Sequence, residues 1–194
     1  MKALRLVSAA LVLLGFTASA HAEFGVGVYG TYHMTDTYTF SGPVADKIES
    51  QSSSNVGALL FIPILPYFSI RTGVGYESLN FKSKYLGGAA AVDYKLTNML
   101  IPINLHFEFP IVGLYAFGGV VFASNTKTDP DNLGKAGSDT RTNIGVGYDF
   151  LTFTLLSVSG EVEYMTGSKN ISPNPSYDAK VNNLNLNLMA RFTL

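Results

Sequence analysis

The sequence predicts an all-β chain folded as an eight-stranded antiparallel up-and-down transmembrane β-barrel, and three observations carry that prediction. Val181 to Leu194 alternates, with Leu184, Leu186, Leu188, Ala190, Phe192 and Leu194 on one face and Asn183, Asn185, Asn187, Met189, Arg191 and Thr193 on the other. Such a period of two makes a strand with one apolar and one polar face, and its length exceeds the ~9–11 residues that a tilted strand needs to cross a bilayer. The 194 residues are 47% hydrophobic and only 14% charged, against ~25% charged in soluble domains, yet no stretch after the first 22 residues is apolar enough to span as a helix. Segments between turn signals are joined by connections that are long and short in turn, which places every long loop at one end of a barrel.

Taken in order, the predicted strands are 24–34, 55–63, 67–82, 92–108, 113–124, 139–149, 155–166 and 181–194. The first sets Phe24, Val26, Val28 and Tyr32 against Gly25, Gly27, Tyr29, Thr31 and His33. The second is an apolar run bounded by a polar loop at 35–54 and the turn from Pro63 to Pro66. In the third, Ile70, Val74 and Tyr76 alternate with Ser69, Arg71, Gly73, Gly75 and Glu77. The fourth and fifth are apolar on both faces, and Pro102, which lacks a ladder donor, predicts a bulge near Ile101 to Ile103. The sixth opposes Ile144, Val146 and Tyr148 to Arg141, Asn143, Gly145, Gly147 and Asp149; the seventh opposes Val158, Val162 and Tyr164 to Ser157, Ser159, Glu161 and Glu163. The eighth is the alternating stretch already described.

A soluble periplasmic lipocalin-like binder would show the same alternation with its apolar face inward. Glycines separate the two readings, because Gly25, Gly27, Gly73, Gly75, Gly145 and Gly147 all fall on the polar face. Small residues relieve crowding inside a narrow eight-stranded barrel, whereas on a solvated face glycine costs ~0.5–1 kcal/mol relative to alanine. The polar face is therefore the inside. Tyr76, Tyr148, Tyr164 and Phe192 are candidates for the aromatic girdles, tryptophan being absent.

Met1 to Ala22 carries Lys2 and Arg5, the apolar run Leu11 to Phe16, and Ala20-His21-Ala22, the pattern of a secretory signal peptide. The expected domains are thus a signal peptide at 1–22 and a barrel at 23–194. Removing Lys2 and Arg5 from 13 basic residues leaves 11 against 14 acidic ones, a formal charge of −3 that gives nucleic acid nothing to bind. Cysteine is absent, which excludes disulfides and thiolate metal sites.

The signal segment, the repeated Gly-Val-Gly-Tyr-acid segments at Gly73 to Glu77 and Gly145 to Asp149, the run Leu100-Ile101-Pro102-Ile103 and the closing strand together resemble the small outer-membrane β-barrel proteins of Gram-negative bacteria. The resemblance implies a monomer in the cell outer membrane, in contact with outer-membrane lipids and lipopolysaccharide. It also implies insertion by the barrel-assembly machinery, which reads an aromatic residue at the end of the last strand; here Leu194 is last and Phe192 stands two before it.

Chemistry on the inner faces is confined to charges: Arg71, Glu77, Arg141, Asp149, Glu161, Glu163 and Arg191, with Glu108 and Lys95 as further members. They are expected to form a paired network that plugs the lumen, with a gate for small ions as the alternative. No cofactor, metal or catalytic site is predicted. Gly25, Gly27 and Gly30 match a dinucleotide motif by letters but no strand precedes them; Asp129, Asp131 and Gly134 match part of a calcium loop in which Leu133 replaces an oxygen ligand. Lipid A-modifying barrel enzymes use His with Ser and an acid, and His33, Asp36 and Ser41 offer those types at the outer end of the first strand. The His-x-Ser pairing of deacylases is missing at His106. The expected function is that of a non-enzymatic outer-membrane protein serving envelope integrity or surface interaction. Its loops offer Asp36, Tyr38, Phe40, Asp46, Lys47 and Glu49, and Lys169, Tyr177, Asp178 and Lys180.

Overall fold

The computed structural model describes residues 24–41, 47–84, 92–110, 113–130, 137–168 and 178–194. The signal segment and the loop residues Asp46, Asp131, Gly134, Lys169 and Tyr177 lie outside them. Among the described residues nine strands form one sheet: β1 (Gly25–Ser41), β2 (Lys47–Ser50), β3 (Ser54–Leu65), β4 (Phe68–Lys84), β5 (Val92–Glu108), β6 (Leu114–Asp129), β7 (Asp139–Thr152), β8 (Leu156–Gly167) and β9 (Asp178–Thr193). Every pairing is antiparallel. β4 pairs with both β3 and β5, and β1 with both β3 and β9, so the sheet closes on itself. β2 and β3 are two lengths of one stave, both paired with β4 and interrupted at 51–53. The barrel therefore has eight staves; among the described residues each of β1 and β3–β9 is paired on both sides over part of its length, as a lipid-spanning sheet requires, while β2 pairs with β4 alone.

Burial alternates as a barrel requires. Val28, Val56, Tyr76, Ile144, Tyr164 and Leu188 are exposed on the outside, while Thr31, Asn55, Glu77, Arg141, Glu163 and Asn187 are buried inside. The apolar face is thus the outer one. Two inner-face glycines of β7 lie where a methyl group would run into a ring: a Cβ at Gly145 would stand 2.4 Å from the Phe117 ring and one at Gly147 2.3 Å from the Tyr115 ring.

The staves are longer than the alternation alone predicts. β1 continues to Ser41 and β6 to Asp129, so residues expected in loops are partly ladder. The bulge expected at Ile101 to Ile103 is absent. Thr72 pairs with Ile103 and Gly75 with Leu100 in one uninterrupted register, and the ladder is simply unpaired opposite Pro102. The Thr72 hydroxyl bridges that gap by donating to the Pro102 carbonyl at 2.8 Å. A bulge occurs instead where Asn98 and Thr97 face Asn125 and Lys127, with Thr126 extra; the Thr126 hydroxyl fills it by donating to the Thr97 carbonyl at 2.9 Å.

Candidate functional site

Three arginines divide the lumen into tiers, each reaching across the barrel to carboxylates on other staves. At the short-turn end, Arg191 of β9 donates to Glu108 at 2.6 Å and Asp149 at 3.2 Å, and its Nε to the Ser157 hydroxyl at 3.3 Å. In the middle, Arg71 of β4 grips Glu161 of β8 with both amino groups at 2.8 and 2.9 Å. Tyr115 and Asn187 donate to the same carboxylate at 2.8 and 3.0 Å. The Arg71 guanidinium also lies 4.1 Å from the centre of the Phe117 ring, a cation–π contact. Above it, Arg141 of β7 grips Glu77 of β4 at 2.7 and 2.9 Å and turns its Nε to Asp139 at 3.3 Å. Planar two-pronged pairing of this kind suits a desolvated lumen, because each guanidinium saturates carboxylate oxygens that have little water.

The sequence-predicted residues are distributed among these tiers with one difference in role and one correction. Glu163 has no arginine: Asn143, Asn185 and Asn187 donate amide hydrogens to it at 2.6, 3.3 and 3.4 Å. It faces a small cavity shared with Tyr29, Asn55, Arg71 and Asn104, with room for a water molecule. Glu108 joins Arg191, but Lys95 does not belong to the lumen. It is exposed on the outer wall opposite Asp129 in the β5–β6 register.

Two lumenal groups escaped the alternation pattern. The β1–β9 register slips between His33 and Thr35, so Asp36 faces inward and is not a loop residue. It accepts from His33 Nδ1 at 2.9 Å and from Asn183, while His33 Nε2 lies 4.0 Å from Glu77. Ser41 lies farther along β1, opposite Asp178; the serine at this pair is the buried Ser53, which hydrogen-bonds the Asp36 carboxylate. At the other end, His106 packs between the Phe61 and Tyr115 rings and meets the Ser69 hydroxyl at 3.2 Å. Glu108 approaches the same ring nitrogen at 4.0 Å, whereas a relay needs serine and acid on opposite nitrogens. Among the described residues no group of three His, Cys, Asp or Glu is placed to hold a metal ion.

Apolar side chains pack among the charged tiers. Leu59, Phe61, Tyr115, Phe117 and Met189 pack together beside Arg71, and Leu100, Val121, Ala123 and Met165 form a second cluster. The apolar inner faces of β5 and β6 supply most of these, which is why those strands read as apolar on both sides. Arg191→Ala strands Glu108 and Asp149 at the partly wetted mouth; a loss of about 1–3 kcal/mol is expected, read as a lower midpoint for urea unfolding in lipid vesicles.

A closed barrel with an apolar exterior, aromatic residues on that exterior and a polar, ion-paired lumen is an integral outer-membrane β-barrel. The chain belongs to the outer membrane protein beta-barrel domain family, whose model matches residues 7–192. It therefore resides in the cell outer membrane. Among solved structures it is similar to the outer membrane protein OprG from Pseudomonas aeruginosa, with 13% identity and a TM-score of 0.56 over 90% of this chain and 97% of that one. It is also similar to the outer membrane protein AlkL, with 15% identity and a TM-score of 0.48 over 92% of this chain and 94% of that one. Among curated proteins no sequence relative is found.

Proposed function

We propose that this small outer-membrane barrel is non-enzymatic and non-conducting, and that it serves envelope integrity or surface interaction through the loops it holds at its outer end. Three cross-lumen arginine tiers with apolar side chains packed between them support this reading. They brace the wall from within and crowd the interior of a narrow eight-stranded barrel. Loops anchored on such a rigid support suit recognition, and the sequence outside the described residues supplies Asp46, Lys169 and Tyr177 for it. The same reading includes a monomer surrounded by lipid and lipopolysaccharide and inserted by the barrel-assembly machinery.

Two measurements test it together. Purified protein in planar bilayers should give no conductance steps, and lipid A from cells with and without the gene should have the same mass spectrum. Discrete steps would replace the reading with a pore, and a mass change of one acyl chain would replace it with a lipid A-modifying enzyme. With both negative, shortening the outer loops while keeping the staves should reproduce the envelope sensitivity of the deletion; full complementation by the shortened barrel would refute a role for the loops.

A further inference from the structure

The end of the barrel that carries the short turns exposes apolar side chains where an aqueous surface would carry polar ones. Ile64 and Leu65 end β3 at its turn to β4, Phe109 follows β5, and Phe150, Leu151, Phe153 and Leu155 surround the β7–β8 turn. Leu65 is 63% exposed, Phe153 62% and Leu155 61%. Every charged side chain described at this end, namely Glu108, Asp149 and Arg191, belongs to the lumenal network, so the outer surface of the turns has none. The opposite end differs: Lys82, Asp93, Lys95, Lys127 and Asp129 stand outward on β4, β5 and β6.

Length gives the reason. On β4 the outward apolar row runs from Phe68 to Tyr76, above which Ser78, Asn80 and Lys82 follow on the same face. Eight steps of ~3.3 Å tilted by ~40° rise roughly 20 Å, which falls short of the ~25 Å apolar band of an outer-membrane barrel. The apolar turns continue the lipid-facing row without a break and supply the missing height.

We propose that the short turns are not periplasmic loops in water but are immersed in the inner leaflet, with Phe109, Phe150 and Phe153 forming the lower aromatic girdle. The occupant of this apolar face is the acyl chain and glycerol region of phospholipid. The Arg191 mouth then opens at headgroup depth, and the barrel ends flush with the membrane on that side while its other end stands proud.

The absence of cysteine gives a clean background for the test. Leu65→Cys and Phe153→Cys are labelled with an environment-sensitive nitrobenzoxadiazole probe and folded into phosphatidylcholine–phosphatidylglycerol vesicles prepared with iodide on both sides. Val28→Cys serves as the mid-band reference and Lys127→Cys as the aqueous one, and folding is verified by a heat-modifiable band. Blue-shifted emission at the turns, quenched by brominated lipid as at Val28 and protected from iodide, is the expected result. Water-like emission quenched by iodide, as at Lys127, would overturn the proposal.

Discussion

Arg141→Ala should destabilise the barrel by about 3–5 kcal/mol, the penalty for leaving one partner of a buried ion pair uncompensated. The guanidinium is 1% exposed and satisfies Glu77 twice and Asp139 once. Its removal leaves the buried Glu77 and Asp139 carboxylates without that cation and with little water to screen them. Asn98, which donates to Glu77 at 2.8 Å, cannot replace a charge. The double variant Arg141→Ala/Glu77→Ala separates attraction from stranded charge: it should recover part of the loss, and the shortfall from additivity measures the coupling. Urea titration in vesicles reads both; equal stability of Arg141→Ala and the unsubstituted barrel would show that water reaches this tier.

Gly73→Ala should be the most damaging small substitution in the wall. A Cβ there would lie 2.0 Å from the Ala58 carbonyl oxygen and 2.9 Å from the Leu59 Cα, both backbone atoms of the neighbouring stave. Neither can swing away as a side chain would, so β3 and β4 must separate, next to the unpaired ladder opposite Pro102. Overpacking ordinarily costs about 1–3 kcal/mol, and a backbone clash puts this site at or above the upper end. Gly30→Ala, where a Cβ would meet no atom within 4 Å, is the matched control and should be close to neutral. A heat-modifiability gel against temperature compares the two; loss of the folded band at similar temperatures in both variants would contradict the clash.

How much was legible in the sequence differs between wall and lumen. Alternation decides faces wherever the register is regular, so Arg71, Glu77, Arg141, Asp149, Glu161, Glu163 and Arg191 fall on the inner face as a matter of parity. Which of them meet is a separate matter, set by stagger and tilt: Arg71 and Glu161 lie on staves that are not neighbours, and no local pattern brings them together. Parity also fails at bulges. The slip after His33 turns Asp36 inward, and the bulge at Thr126 leaves Thr126 and Lys127 both exposed. Pro102 misled in another way, since a missing donor can be absorbed by a hydroxyl from the next stave without inserting a residue. The asparagines of β9 carried a signal that charge counting overlooked: Asn185 and Asn187, with Asn143 of β7, donate the amide hydrogens that hold Glu163 in place of an arginine.

Each stave lies beside its neighbour in sequence except at one seam, where β1 meets β9 from Gly25 opposite Thr193 to Ser41 opposite Asp178. The Leu194 amide donates to the Phe24 carbonyl at 2.8 Å across that seam. The cylinder is thus a row of local hairpins with a single long-range weld. Hairpins close short loops at small entropic expense, whereas the weld must enclose nearly the whole chain. On entropy alone, joining the first and last staves is the step expected to come last, zipping shut a nearly complete but still open sheet.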